Sequence, residues 1–258
     1  MSHKWSLVPL PALEDNYIWI VHDGSAALAI DPGEAAPVCD WLDRHRIRLH
    51  AIMITHHHRD HTGGVAELVR ATGARVYGPA AEPLPYRDVA LTGNEWLDRP
   101  GGLELTFDVL AIPGHTRGHL AYFGHGWLFC GDTLFSAGCG RIFEGTAEML
   151  YHSLLRLAAL PEQTAVCCAH EYTLKNLAFA AVVEPNNPAV RQAIARCQAL
   201  RKSGQPTLPS TLEEERKINP FLRVDIPEVA AAIEKATGTR PANPLATFTE
   251  LRRWRDRF

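Results

Sequence analysis

The residues with the clearest capacity for chemistry lie in one short segment, Thr55 to His61, which reads Thr-His-His-His-Arg-Asp-His. The segment directly follows the apolar run 51–54, so we expect a buried strand to deliver its side chains into a loop. Imidazole and carboxylate groups are ligands that zinc and other first-row divalent metals accept. The segment therefore predicts a metal site.

Within this segment, the spacing divides the ligands between two ions. One residue separates His56 from His58, so both can face the same ion from an extended chain. Asp60 and His61 follow after the chain turns toward a helix, and they predict a second ion. Asp60 could instead cap that helix, but a cap does not account for three further histidines. We expect His57, between two ligands, to point away from the metals.

Three further candidates each follow an apolar run elsewhere in the chain: His115, Asp132 and His170. A single histidine after a strand is more often structural, and Gly-Asp is often only a turn. Their weight comes from the combination with the first segment. The predicted ligands of one metal are His56, His58 and His115, and those of the other are Asp60, His61 and His170. Asp132 is predicted to bridge both metals, because a carboxylate has two oxygens.

A centre of this kind indicates hydrolysis. Two divalent ions held about 3.5–4 Å apart can share a water and lower its pKa toward about 7, which makes hydroxide available as a nucleophile. Asp60 and Asp132 are then catalytic through the metals that they hold. We expect two zinc ions, although sites built from histidine and aspartate also accept iron and manganese. His119 is expected to hydrogen-bond a ligand, and Asp31 either orients the ligand segment or forms a plain turn.

The elements that must position these residues are short strands interrupted by helices, followed by helices alone. The predicted strands cover residues 5–9, 17–21, 26–31, 49–54, 75–77, 103–112, 119–123, 127–130 and 164–168. The predicted helices cover residues 35–46, 63–71, 148–160, 174–183, 188–202, 212–217, 227–235 and 246–254. This pattern predicts an α/β (α+β) fold with two sheets covered by helices and no strand after residue 168. We predict a first domain over residues 1–172, which holds the candidate metal ligands, and an α-helical domain over 173–258, to which the family resemblance described below gives a substrate-binding role.

The composition is that of an ordinary folded protein, with 258 residues, 46% hydrophobic and 21% charged. A net charge of -3 provides no general attraction for nucleic acid or an anionic membrane, so neither is expected as a partner. The first ten residues hold no signal-like apolar run, and no uncharged stretch is long enough to cross a bilayer. Six cysteines without a CxxC pair predict buried thiols. We expect a cytoplasmic monomer.

The motifs HxHxDH (56–61), PGHTxGH (113–119), GD (131–132) and AHEYT (169–173) together resemble the metallo-β-lactamase superfamily. More narrowly, the whole chain resembles the glyoxalase II (hydroxyacylglutathione hydrolase) family. That resemblance implies an αββα sandwich with a C-terminal helical domain. It also implies a thioesterase that converts S-D-lactoylglutathione, a 2-hydroxyacylglutathione, to D-lactate and glutathione in methylglyoxal detoxification.

The resemblance also implies the substrate contacts, through the stretches 138–146, 170–176 and 252–258. The implied glutathione-binding residues are Arg141, Phe143, Tyr172, Asn176, Arg252 and Arg255. Glutathione has two carboxylates, which gives cationic side chains there a physical purpose. Arg253 and Arg257 are expected to remain a solvated helix face.

Three residues depart from the family pattern. Arg141 stands where some relatives carry lysine and keeps the charge, whereas Phe143 stands where some carry tyrosine and removes a hydroxyl. Ala169 stands where many carry glycine. The loss of the hydroxyl at position 143 removes a possible hydrogen bond to the substrate, so the orientation of the bound substrate can differ from that in relatives with tyrosine.

Three alternatives to the thioesterase belong to other functional classes. A superfamily hydrolase of lactones or β-lactams is disfavoured by the helical C-terminal part. An iron-dependent persulfide dioxygenase is disfavoured because both ligand sets are complete. A non-catalytic metal-binding module is disfavoured because the residues for a shared hydroxide are intact.

Overall fold

The computed structural model describes residues 5–258, within which fourteen strands and nine α-helices form. The strands are β1 (Ser6–Ala12), β2 (Asn16–His22), β3 (Ala26–Ile30), β4 (Arg48–Met53), β5 (Arg75–Pro79), β6 (Val89–Leu91), β7 (Asn94–Asp98), β8 (Thr106–Ala111), β9 (Leu120–Gly124), β10 (Trp127–Gly131), β11 (Leu134–Phe135), β12 (Gly138–Cys139), β13 (Ala165–Cys168) and β14 (Ser210–Thr211). The helices are α1 (Ala36–His45), α2 (Arg59–Thr62), α3 (Val65–Thr72), α4 (Ala147–Ala158), α5 (Thr173–Val183), α6 (Pro188–Lys202), α7 (Leu212–Ile218), α8 (Pro227–Thr237) and α9 (Pro244–Arg255).

The chain divides into two compact units. Unit 1 comprises Met1–Ala111 and Arg117–Gly131, and unit 2 comprises Ile112–Thr116 and Asp132–Phe258. The sequence expectation that the first ten residues lack a leader lies partly outside the described residues. The predicted domain boundary between residues 172 and 173 stays a prediction.

Unit 1 contains a mixed sheet in the order β1-β2-β3-β4-β5-β6. The first three strands are antiparallel, and β3 to β6 run parallel to one another. Strands β7 to β10 form a separate antiparallel meander. The ligand segment follows β4 directly, so the candidate ligands lie at the carboxyl end of this parallel strand.

Both faces of β2 are buried, and successive side chains of a strand point to opposite faces of its sheet. On one face, Ile18 and Ile20 of β2 belong to a core cluster with Val38 of α1 and Leu68 of α3. On the other face, Trp19 contacts Phe129 of the meander, with ring centroids 6.5 Å apart. The residues of β2 therefore join the helices to one side and the meander to the other.

Unit 2 combines two short strand pairs with six helices. The pairs β11-β12 and β13-β14 are antiparallel. Helices α5, α6 and α7 share an apolar cluster that includes Leu177, Val190 and Ile218. Side-chain caps begin several of these helices, and Asn187 accepts a hydrogen bond from the Ala189 N–H at the start of α6.

The structure confirms the α/β class with a helical C-terminal region, and it corrects several details. Strand β14 contradicts the expectation of no strand after residue 168. It was missed because two residues are too few for a periodic pattern. Strands β6 and β7 were also missed, since β6 is only three residues long and β7 carries mostly polar side chains. A short helix, α2, forms inside the ligand segment itself.

The described part of the chain bears on two expectations from composition, the lack of a membrane-spanning segment and the buried thiols. No helix there combines the length and the apolar character that a membrane crossing needs. The six cysteines are thiols rather than disulfides, and all but Cys39 are buried. The prediction of buried thiols is therefore confirmed for five of them.

We expect Phe129→Ala to destabilise the protein by about 3–5 kcal/mol, because it removes a fully buried ring from the face between β2 and the meander. The shift of the denaturant midpoint in a urea titration measures the effect. Trp96→Ala is the matched control, because this exposed aromatic residue of β7 should change stability by less than about 0.5 kcal/mol. Equal shifts in the two variants would contradict this account of the core.

Candidate metal centre

In unit 1, the ligand segment brings together the four candidates that the sequence places there. His56 Nε2 lies 3.0 Å from His58 Nδ1, and His61 Nε2 lies 3.3 Å from Asp60 Oδ2. Two donor atoms that each lie about 2.1 Å from one ion at a tetrahedral angle are about 3.4 Å apart. Both pairs are close to that separation, so their geometry fits a shared ion for each pair.

Asp31 holds these ligands in place from the end of β3. Its Oδ1 accepts a hydrogen bond from the Thr55 N–H (2.7 Å), and its Oδ2 accepts one from the Thr55 hydroxyl (2.6 Å). The same carboxylate lies 3.1 Å from His61 Nδ1, and the Thr55 hydroxyl lies 3.0 Å from His56 Nδ1. A partner on one ring nitrogen fixes which nitrogen is left to bind a metal. Asp31 therefore orients His61 directly and His56 through Thr55.

Asp31 also satisfies the alternative expectation of a turn, because its φ is 52°. The turn brings Gly33 against the ligand segment, where a β-carbon at Gly33 would lie 1.9 Å from the Asp60 carbonyl oxygen. Only glycine fits such an approach. By distance alone, Asp31 could join His56 and His61 around an ion. Its two hydrogen bonds from Thr55 favour the orienting role.

His57 is held by Glu82, a buried carboxylate that the sequence reasoning missed. Glu82 accepts hydrogen bonds from the backbone N–H and the ring of His57, and its other oxygen accepts one from the Gly118 N–H (2.8 Å). His119, expected to hydrogen-bond a ligand, stacks on His56 with ring centroids 4.6 Å apart, and its Nδ1 donates to the Leu120 carbonyl. The expected hydrogen bond to a ligand stays a prediction. No pattern around Glu82 distinguishes it from a surface glutamate.

Unit 2 contains the other three candidates, and Asp132 lies between the two histidines. Its Oδ2 is 3.4 Å from His115 Nε2, and its Oδ1 is 3.3 Å from His170 Nε2. All three residues are buried. Each carboxylate oxygen thus faces a different imidazole, at a separation that fits one shared ion per pair.

A backbone contact fixes the tautomer of His115. Its Nδ1 lies 2.7 Å from the carbonyl oxygen of Arg141, which can only accept a hydrogen bond. Nδ1 therefore carries a proton, and Nε2 is the ring nitrogen that faces Asp132. This is the arrangement of a metal-binding histidine oriented by a backbone carbonyl.

Two of the residues expected to contact substrate are aromatic rings that pack on the histidines of unit 2. Tyr172 stacks on His170, with centroids 4.7 Å apart and planes 7° from parallel. Phe143 meets His115 edge-on at 5.2 Å and is 60% exposed. An exposed ring beside a candidate ligand offers an apolar surface next to the centre.

The other four residues expected to contact substrate are polar and form a second group. Asn176 is buried, its amide donates to the Ser136 carbonyl (3.0 Å), and its Oδ1 accepts from Arg255 (3.4 Å). Arg252 is buried and donates to the Cys139 carbonyl (2.8 Å).

The arginines of this group are close enough to influence each other. Arg252 and the exposed Arg141 both lie near Asp256, at 3.1 Å and 3.4 Å. Burial and the neighbouring Arg252 lower the pKa of Arg255, so an anionic ligand would relieve repulsion in this group.

Models of two families match the chain. The metallo-beta-lactamase superfamily matches residues 12–170, and the hydroxyacylglutathione hydrolase C-terminus matches residues 171–258. The hydroxyacylglutathione hydrolase of Albidiferax ferrireducens is 51% identical over 257 residues, which cover 98% of this chain and 99% of that one. That of Halorhodospira halophila is 51% identical over 250 residues, which cover 96% of this chain and 97% of that one.

A solved structure agrees with these matches. The crystal structure of TTHA1623 in a di-iron-bound form has a TM-score of 0.59 and 28% identity, and the similarity covers 84% of this chain and 100% of that one. The predicted metallo-β-lactamase fold is therefore confirmed. The chain belongs to the metallo-β-lactamase superfamily and, within it, to the hydroxyacylglutathione hydrolase family.

Proposed function

We propose that the protein is a thiolester hydrolase that converts a 2-hydroxyacylglutathione, S-D-lactoylglutathione, to D-lactate and glutathione. The observation that carries this proposal is Asp132, whose two carboxylate oxygens each face the Nε2 of a different buried histidine. The substrate class is supported by the relatives named hydroxyacylglutathione hydrolase at 51% identity over nearly their whole length.

The proposed metal ligands are those expected from the sequence. His56, His58 and His115 would hold one ion, Asp60, His61 and His170 the other, and Asp132 both. The donor–donor distances within each unit support this set. When bound, two divalent ions supply Lewis-acid charge and lower the pKa of water toward about 7. We assign two zinc ions, and the nitrogen and oxygen donors also suit iron or manganese.

The chain's own residues bind and orient the thioester. Phe143 and Tyr172 offer ring surface beside His115 and His170, where the acyl group would lie. Cationic Arg141 and Arg255 suit the two carboxylates of the glutathione part. A thiol with a pKa of about 8.5 leaves as a thiolate, so the reaction needs no general acid at the sulfur.

The cytoplasm is the proposed location, since thiols such as those of this chain persist in reducing compartments. We propose a monomer that binds neither nucleic acid nor membrane, in keeping with the net charge of -3. The separate helical substrate-binding domain over residues 173–258 belongs to the same proposal.

The purified protein is expected to hydrolyse S-D-lactoylglutathione while carrying about two metal ions per chain. The loss of thioester absorbance and elemental analysis of the same sample measure both quantities. Faster turnover of lactones or β-lactams would favour the first alternative, and oxygen consumption with a glutathione persulfide would favour the dioxygenase. A metal-loaded protein inert toward every thioester would contradict the proposal.

We expect Asp132→Ala to abolish turnover and metal retention together, because both unit 2 histidines lose the carboxylate between them. Hydrolysis rate and metal content, measured on one preparation, test this. Asp225→Ala, an exposed aspartate of the same unit, should leave both unchanged. An Asp132→Ala protein with full activity and a normal metal content would refute the bridging role.

Asp31→Asn should lower metal affinity by about 10- to 100-fold, because an amide in place of the carboxylate no longer fixes the tautomer of His61. Competition with a chromogenic chelator measures the affinity without relying on turnover. Asp40→Asn, at an exposed position of α1, is the control. Identical affinities in wild type and Asp31→Asn would show that Asp31 only shapes the turn.

A further inference from the structure

The hairpin of β11 and β12, residues 134–139, is too short to hold its own conformation. It pairs only Leu134 with Cys139 and Phe135 with Gly138, and an isolated two-stranded hairpin is marginal even when it is longer. Its tip residue, Ala137, is fully buried at a φ of 54°. Other parts of unit 2 must therefore fix this segment.

Helix α7 and the residue after it hold the hairpin through hydrogen bonds. Glu215 of α7 accepts a hydrogen bond from the Ala137 N–H (2.7 Å), and the Ser136 side chain also hydrogen-bonds to it. The Asn219 amide donates to the carbonyls of Phe135 (3.1 Å) and Gly138 (2.9 Å) and to Glu215 itself (3.2 Å). Glu215 and Asn219 together hold the hairpin by its backbone.

The same hairpin also receives residues proposed to bind glutathione. Asn176 donates to the Ser136 carbonyl and Arg252 to the Cys139 carbonyl. A β-carbon at Gly138 would lie 2.6 Å from the Asn176 amide carbon, so Asn176 packs directly on the hairpin. Asn176 in turn accepts from Arg255. A shift of the hairpin would therefore move the substrate-binding group.

A glutamate at position 215 costs folding free energy, because its carboxylate must be buried. It is fully buried, and burial raises its pKa to about 7 although its hydrogen-bond donors act to lower it. A buried carboxylate without a cationic partner usually costs stability. Its advantage is geometric, because one carboxylate accepts from Ala137, Ser210 and Asn219 at once.

We propose that Glu215 is a positioning residue for substrate binding, which with Asn219 holds the hairpin 134–139 in the conformation that seats Asn176 and Arg252. This inference rests on the proposed function, since it assumes that these two residues serve a glutathione thioester. Glu215 touches no candidate metal ligand in the described contacts. It acts on binding through the hairpin.

The test compares Glu215→Ala with the wild-type holoenzyme. The alanine variant leaves the Ala137 N–H without its acceptor and removes one of the three acceptors of the Asn219 amide, so KM for S-D-lactoylglutathione should rise about tenfold or more. The kcat and the metal content should change much less. Calorimetric titration with glutathione alone should show a matching loss of affinity, independent of turnover.

Glu215→Gln should restore most of the affinity. Its amide oxygen can accept from Ala137 and Asn219, while its NH₂ donates to the Ser210 hydroxyl, which can rotate to accept. Glu214→Ala, on the same helix at the surface pair with Arg196, is the matched control and should leave KM unchanged. Should Glu215→Ala fail to fold in a thermal melt, Asn219→Ala tests the other half of the same contact.

A merely structural Glu215 would lower the melting temperature without separating KM from kcat, and that result would overturn the inference. So would a glutathione affinity equal to that of wild type in Glu215→Ala. Wild-type activity on the thioester reports on the proposed function separately from these ratios. A wild-type protein that neither hydrolyses the thioester nor binds glutathione would reject both proposals.

Discussion

The carboxylate of Asp132 is the constraint on which the rest of the arrangement depends. Each of its oxygens faces a different imidazole nitrogen, and neither histidine can be moved without changing one of those separations. The Arg141 carbonyl accepts a hydrogen bond from Nδ1 of His115, so the backbone at Arg141 also orients this candidate ligand. The proposed metal site and the proposed substrate contact at Arg141 are therefore coupled through the chain itself, because the Arg141 carbonyl lies against His115.

Four of the candidate metal ligands could be predicted from the sequence, because they lie close together in one short segment. His56, His58, Asp60 and His61 stand within six residues and follow an apolar strand that the structure confirms as β4. Glu82 and Glu215 could not be found in this way. Glu215 is one of three consecutive glutamates in the first turn of α7, and its neighbours pair with surface cations. Only the fold decides which of the three is buried.

Buried carboxylates recur as backbone anchors in both units. Asp31 holds the Thr55 N–H, Glu82 holds Gly118, and Glu215 holds Ala137. A carboxylate can accept several hydrogen bonds without donating any, which suits loops whose N–H groups have no strand partner. The Thr55 segment carries four of the candidate ligands, and the Ala137 hairpin supports Asn176 and Arg252, so these anchors lie where the proposed site needs a defined geometry.

The loop that leaves Asp132 folds back so tightly that a β-carbon at Gly140 would lie 1.8 Å from the Asp132 carbonyl oxygen. Any side chain at position 140 would therefore clash with the Asp132 backbone. Libraries randomised at this position to select for bulkier or differently charged acyl groups would give few folded variants. Phe143, three residues further, is 60% exposed beside His115, so a new side chain there meets fewer packing constraints than one at Gly140. New acyl preferences are more accessible from that ring than from the loop that supports it.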